Sequence, residues 1–338
     1  MYQQRTCAAA SLLIATLLAP VGAVAEPAKL KLAFYSSDQS MIYRAAVKPF
    51  VDAVNADGRG VVEIAVFPAG ALGKDLPQQH MLVIDGAADL AFLVPGMAPG
   101  QFVDNAAIEL PGLFQNIREA TLAYTRLASG GVLRGYEDLI VLGAYGTEPE
   151  AFHVRPKVTG LSDLAGLKIR TNNPMEGLFL QKIGAEPVPM GVNVTAEAIS
   201  KGTVSGALIA APMLYDMGIA RVTTYHYFLK TSTAPLALVM SKRVFNELPP
   251  PARDVIKKYA GSWAAARFIE IFEALGSQAL NQLDADPRRT ILYPSTQDQE
   301  RANKAFSEVA DEFAGKAAKN RELVALLKKE LTAVRSGQ

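Results

Sequence analysis

The chain has 338 residues, half of them hydrophobic and a fifth charged, with 34 basic against 33 acidic side chains. A chain of this length can bury a large core and divides readily into two domains, while its composition excludes disordered, collagen-like and low-complexity architectures. The balanced charge offers no basic footprint for nucleic acid. A single cysteine, Cys7, excludes a disulfide framework and a cysteine-built zinc module, and three scattered histidines (His80, His153, His226) give no expectation of a metal site.

Residues 1–25 (MYQQRTCAAASLLIATLLAPVGAVA) carry the layout of an export signal. Arg5 supplies the positive end, residues 8–19 the apolar run, and Ala23-Val24-Ala25 the small-residue cleavage site. Removal of this segment takes Arg5 and Cys7 with it. No later stretch reaches the ~20 consecutive apolar residues of a membrane-spanning helix. The expected product is an exported, thiol-free protein that is not inserted in the membrane.

Strands and helices then alternate. Residues 29–35 (KLKLAFY) read as a strand, and residues 41–55 place Met41, Ala45, Phe50 and Val54 at helical spacing. Residues 61–67 (VVEIAVF) form a second strand and close a β-α-β unit. A helix over 76–86, a strand over 88–94 (ADLAFLV), a helix over 117–127 and a strand over 139–144 (LIVLGA) follow. The pattern restarts near Phe152. Residues 167–170 read as a strand, Pro174 as the first residue of a helix, 187–190 as a short extended segment, 196–201 as a helix stopped by Gly202, and 204–209 as a strand. Residues 225–227 (Tyr-His-Tyr) fit a crossing strand with its rings packed on one lobe, and 235–240 is extended. Pro249-Pro250-Pro251 opens a long helical pattern through Trp263, Phe268, Phe272 and Leu280, with two amphipathic helices over 297–316 and 321–334. Two α/β units without a long linker suggest short crossings between lobes, with ligands bound at the crevice beyond the strand ends.

Searches for catalytic patterns are empty. The chain has no phosphate-cradling glycine loop, no nucleophile elbow, and no paired histidine or cysteine motif. A binding protein fits this better than an enzyme, and no cofactor is expected.

From Asp163 the sequence reads DLAGLKIRTNNPMEGLFLQKIGAEPVPMGVNVTAEAISKGTVSGA. This resembles the solute-binding subunit of tripartite ATP-independent periplasmic (TRAP) transporters, of the C4-dicarboxylate-binding type. FPAGALGKD (67–75), IELPGLF (108–114) and LPPPARDVI (248–256) are similar to further stretches of that family. The resemblance implies an α/β, two-lobe periplasmic-binding-protein-like fold with a long helix across both lobes, for which the run from Pro250 to about Leu283 is the candidate. The lobes divide as residues 26–148 with about 236–275, and 149–235 with about 276–338. The implied role is capture of a small organic acid in the periplasm and its delivery to TRAP permease subunits. A sensor that presents its ligand to a receptor, or a periplasmic enzyme on the same fold, are the alternatives.

In the family, the arginine of the L-K-I-R motif, here Arg170, clamps a ligand carboxylate. A guanidinium offers a planar fork that matches a carboxylate with two parallel bonds and stays charged at working pH. The arginine is expected to have no committed partner before ligand arrives. Positions matching other family pocket residues are Tyr35, Asp75, Leu93, Val94, Val192 and Ile209. Where many acid-binding members place a second arginine, this chain has Glu148. One cation among apolar groups fits an apolar or aromatic monocarboxylate better than a dicarboxylate.

Overall fold

The structure is a computed structural model and describes residues 26–337. The export signal, with Arg5, Cys7 and the cleavage site, lies outside the described residues. The chain runs through β1 (Ala28–Ala33), a π turn over Tyr43–Val47, α1 (Lys48–Asp57), β2 (Val62–Phe67), α2 (Gln79–Ile84), β3 (Leu90–Leu93), α3 (Ile117–Ser129) and β4 (Leu139–Gly146). It continues as β5 (Ala151–Val154), β6 (Lys168–Thr171), α4 (Pro174–Lys182), β7 (Glu186–Pro189), α5 (Thr195–Ser200), β8 (Gly206–Ile209), α6 (Met213–Asp216) and β9 (Tyr225–Tyr227). The last part holds β10 (Pro235–Ser241), α7 (Lys242–Glu247), α8 (Pro250–Tyr259), α9 (Ser262–Asp284), β11 (Thr290–Leu292), α10 (Thr296–Lys316) and α11 (Ala318–Arg335). The π turn ahead of α1 ends just before Pro49, whose missing N–H cannot extend a regular ladder.

These strands form two sheets, in the orders β2-β1-β3-β10-β4 and β11-β9-β5-β8-β6-β7. In the first, β1 is parallel to β2 and β3, and β10 lies antiparallel between β3 and β4. All seven residues of β10 are buried, as befits a strand covered on both faces. In the second, β6 is parallel to β7 and β8, while β5 runs antiparallel between β8 and β9. This is the two-lobe α/β architecture expected from the alternating pattern.

Two short segments cross between the sheets and bond to each other. Thr147 N donates to Ala234 O at 3.1 Å, Glu150 N to Ser232 O at 2.8 Å, and Thr231 N to Glu150 O at 2.9 Å. The IELPGLF stretch is tied to this crossing, because Gly112 N donates to Thr231 O at 3.1 Å. Gly112 has φ 71°, and a Cβ there would drive into the Phe306 ring of α10. The C-terminal helices strap the layers together: α10 packs on α4, and α11 on α3.

The long helical run is not continuous. It breaks between α8 and α9 at Gly261, where φ is +59° and ψ −119°. There the Gly261 N–H leaves the helical ladder and donates to Leu142 O of β4 at 2.7 Å. Glycine tolerates this conformation without the cost a side chain would bring. The 23-residue α9 is the helix that spans both lobes. Its first half buries Phe268 and Phe272 against β4, with the Tyr145 and Phe268 rings 4.6 Å apart. Its second half, at Gln278, Ala279 and Gln282, shares a groove with Pro212, Tyr215 and Asp216, which follow β8. Trp263 is only partly buried, stacked edge-on with Tyr259 at 4.9 Å.

The histidines are less scattered than their spacing suggests. His153 on β5 and His226 on β9 are opposite one another in the sheet, fully buried, with their Nδ1 atoms 2.8 Å apart. His153 Nε2 lies 3.2 Å from Ile209 O, which only a protonated Nε2 can use. His153 Nδ1 then accepts from His226 Nδ1–H, and His226 Nε2 is left as a buried nitrogen with no partner among the described residues. Burial, with the nearby Arg289 charge, holds the His226 pKa down at about 4, and burial with His226 holds His153 well below the usual histidine range. An unfolded histidine near 6.5 binds more protons than the folded one, so folding stability falls as pH drops from about 6.5 towards 4. For His226 alone this amounts to roughly 2 kcal/mol between pH 7.5 and 5. Urea unfolding of wild type and His226→Gln at both pH values checks it: the variant loses less stability on acidification. The buried acids titrate in both proteins and cancel, so equal losses would refute it.

Candidate ligand-binding site

Arg170 stands on β6, in register with Val188 of β7 and Ala207 of β8. Its neighbour Ile169 points into the core, so alternation along the strand sends Arg170 to the opposite face. The residue is 3% exposed. Nε donates to Met190 O at 3.0 Å and Nη1 to Leu208 O at 3.1 Å. The expectation of an uncommitted arginine is corrected here: two backbone carbonyls hold it. Nη2 makes no hydrogen bond to the described residues, and none of their carboxylates lies within ion-pair distance. Burial lowers the Arg170 pKa, opposed by Glu150 and Glu176.

Arg170 lines a cavity between the lobes. Tyr35, Ile42, Leu76, Val94 and Met97 line it from the first sheet's side. Arg170, Asn172, Val192, Ile209 and Met213 line it from the second. The crossing segments add Thr147, Glu150, Ala234 and Leu236. Tyr35 is positioned by the FPAG turn, in which Ala69 N donates to Ser36 O at 2.7 Å and Gly70 N to Phe34 O at 3.0 Å. Burial raises the Tyr35 pKa and keeps its phenol a neutral donor.

Five of the residues selected from sequence, Tyr35, Val94, Arg170, Val192 and Ile209, meet in this cavity. Three do not line it. Leu93 is buried in the core on the other face of β3 from Val94. Asp75 is exposed beside the cavity-lining Leu76, and its carbonyl accepts from Gln79 Nε2 at 3.0 Å. Glu148 opens into a different groove with Asn116, Lys230 and Tyr293, and a Cβ on Gly276 of α9 would lie 3.2 Å from its Oε2. Burial and Glu273 raise the Glu148 pKa.

The carboxylate that does line the cavity is Glu150, which the sequence reading did not select. It is 3% exposed. Asn172 Nδ2 donates to its Oε1 at 3.0 Å and Oε2 at 3.2 Å, and reaches Glu176 Oε1 at 3.2 Å. Glu176 is fully buried in the first turn of α4, whose N-cap Asn173 accepts its N–H at 2.9 Å. The lobes touch at this loop. A Cβ on Gly96 would lie 3.1 Å from Asn173 Cβ and 3.3 Å from Asn172 O. No group of three or more metal-ligating side chains occurs among the described residues.

The model of the DctP family, described as bacterial extracellular solute-binding protein, family 7, matches residues 32–316. The chain belongs to the DctP family. This is the family of TRAP solute-binding subunits that the motifs resemble, and its members bind solutes rather than transform them. Among curated relatives, the sialic acid-binding periplasmic protein SiaP of Vibrio cholerae is 23% identical over 68% of this DctP-family chain and 72% of its own. A marine-metagenome TRAP solute-binding protein specific for aromatic acid ligands, solved with metahydroxyphenylacetate, superposes with a TM-score of 0.84. It is 24% identical over 90% of this chain and 99% of its own. A TRAP solute-binding protein from Rhodoferax ferrireducens T118, solved with copurified benzoate, gives a TM-score of 0.82 at 23% identity, over 90% of this chain and 98% of its own. No helix among the described residues is long and apolar enough to cross a membrane.

Proposed function

We propose that this protein is exported to the periplasm, closes its two lobes on a small apolar or aromatic monocarboxylate, and delivers it to a TRAP-type permease. The lobes proposed to close are residues 26–148 with about 236–275, and 149–235 with about 276–338. One observation carries the ligand class. The cavity holds a single guanidinium with a free Nη2, a buried carboxylate at Glu150, and apolar walls that include Ile42, Leu76, Val94, Val192 and Ile209. A second ligand carboxylate would meet Glu150 instead of a second cation, and like charges brought together cost several kcal/mol. Charge exclusion therefore rests on Glu150 inside the cavity rather than on Glu148 outside it. The benzoate and metahydroxyphenylacetate of the two solved relatives agree with this class.

Calorimetric titration of the mature protein tests it. Benzoate or phenylacetate is expected to bind at least tenfold more tightly than succinate, malate or fumarate. Tighter binding of any of the three dicarboxylates would overturn the assignment. Co-purification with permease subunits is the corresponding test of delivery.

A further inference from the structure

Glu150 has more acceptor capacity than the protein uses. A carboxylate offers about four lone-pair sites, and those of Glu150 receive two donors from the protein: the Asn172 amide, shared with Glu176, and the Glu176 carboxyl beside it. Two carboxyl groups gathered on one amide nitrogen and out of solvent cannot both be ionised. Glu176 is the deeper of the two and does not line the cavity, and burial followed by the Glu150 charge raises its pKa well above the carboxylate range. Burial raises the Glu150 pKa as well, but the hydrogen bond from Glu176, the Arg170 charge and the Asn172 amide oppose it, so the shared proton sits on Glu176 and is donated to Glu150, which carries the negative charge at the cavity wall.

The other polar side chains of the cavity are already engaged. Thr147 Oγ1 donates to Glu148 O at 3.1 Å and accepts from Ala234 N at 3.0 Å. Asn172 Oδ1 accepts from Asn173 Nδ2 at 3.1 Å. The cavity thus presents one cation, Arg170, one anion, Glu150, and the neutral phenol of Tyr35 among apolar groups. β6, which bears Arg170, and β5, which Glu150 immediately precedes, are separated only by β8. Across β8 from Arg170 stands His153, so Glu150 lies two strand spacings (roughly 10 Å) across and three residues (about 10 Å) along the sheet, a separation that the two long side chains narrow across the cavity. A ligand offering only a carboxylate would satisfy Arg170 and seal Glu150 against carbon, leaving the buried anion with the Asn172 amide and the Glu176 proton for about four lone-pair sites.

Resting on the monocarboxylate reading above, we infer that the ligand also carries a hydrogen-bond donor, O–H or N–H, and that Glu150 is the residue that selects for it. Arg170 takes the carboxylate, and Glu150 accepts from the donor. The pocket then discriminates by the penalty for leaving Glu150 unmatched, not by shape alone.

Phenylacetate, mandelate, phenylglycine and 3-hydroxyphenylacetate form a matched set for the test. They share a ring and a carboxylate, and differ in having no donor, an α-hydroxyl, an α-ammonium or a ring hydroxyl. Calorimetric titration of wild type is expected to show at least one donor-bearing acid binding tenfold or more tighter than phenylacetate. In Glu150→Leu that advantage is expected to fall below threefold. Glu150→Gln, a near-isosteric acceptor, keeps the advantage of a hydroxyl and loses that of an ammonium, which separates the two donor types and serves if the leucine variant folds poorly. If phenylacetate binds wild type as tightly as all three partners, the selection by Glu150 is wrong while the monocarboxylate reading stands. An advantage undiminished in both variants also overturns it. If wild type binds none of the four acids and no benzoate, the parent reading fails and this inference with it.

Discussion

Arg170→Ala is expected to weaken binding of the cognate monocarboxylate by roughly 30-fold to several thousand-fold. Removing one partner of a buried, hydrogen-bonded charge pair costs about 2–5 kcal/mol, and each ~1.4 kcal/mol is a decade in affinity. Arg170→Lys is expected to recover only part of this, because an ammonium cannot reproduce the planar fork. The unliganded variant pays as well. Met190 O and Leu208 O lose the donors at 3.0 and 3.1 Å, and carbonyls left unpaired in a buried site cost about 1–3 kcal/mol. Calorimetry with the confirmed ligand and urea unfolding of the apo protein check the two halves separately. Binding within about threefold of wild type would put less than ~0.7 kcal/mol on this side chain, and the carboxylate would have to be held elsewhere.

Gly206→Ala is expected to destabilise the fold by about 3 kcal/mol or more, at the upper end of what overpacking a core does. Gly206 faces Val154 in the β5–β8 pair. A Cβ there would collide with the His153 carbonyl and would lie 2.5 Å from Val154 Cγ1 and 2.7 Å from Val154 Cα. Two of these atoms are backbone, so no rotamer change relieves the clash. The melting temperature is expected to fall by roughly 6–12 °C, taking about 2–4 °C per kcal/mol for a domain of this size class. Ligand affinity falls too, because β8 supplies both the Leu208 carbonyl that orients Arg170 and the Ile209 wall of the cavity. A melting curve within 2 °C of wild type would show that the two strands separate more cheaply than their geometry indicates. This clash is also the physical content of the glycine in the VSG stretch: it is small because a neighbouring backbone passes over it.

The elements of the fold were legible in the sequence because each leaves a local mark. Period-two runs such as VEIAVF became β2, and helical spacing of Phe50 and Val54 became α1. Pro174 opened α4 as its fixed φ and missing N–H suggest. The resemblance around LKIR located Arg170, and alternation along β6 put it on the face opposite Ile169. These features depend on residues within a few positions of one another, which a linear reading can compare.

Residues 148 and 150 mark where that reading stops. In an extended chain, positions two apart share a face, yet Glu148 opens into the groove beside α9 and Glu150 into the cavity with Arg170. Pro149 stands between them, and the pairing of Thr147 with Ala234 and of Glu150 with Ser232 fixes how the segment turns. The same holds for the commitments of Arg170, whose acceptors lie 20 and 38 positions along the chain. It holds for His153 and His226, in contact across 73 positions, and for the break at Gly261, which is set by the Leu142 carbonyl. The sequence by itself determined most of the elements and their order, the family, and which arginine stands in the LKIR motif. The tertiary structure decided which carboxylate shares the cavity with that cation and which groups are already paired, because hydrogen-bond partners and cavity walls come from the register of strands distant in the chain, and that register is settled only when the two sheets pack.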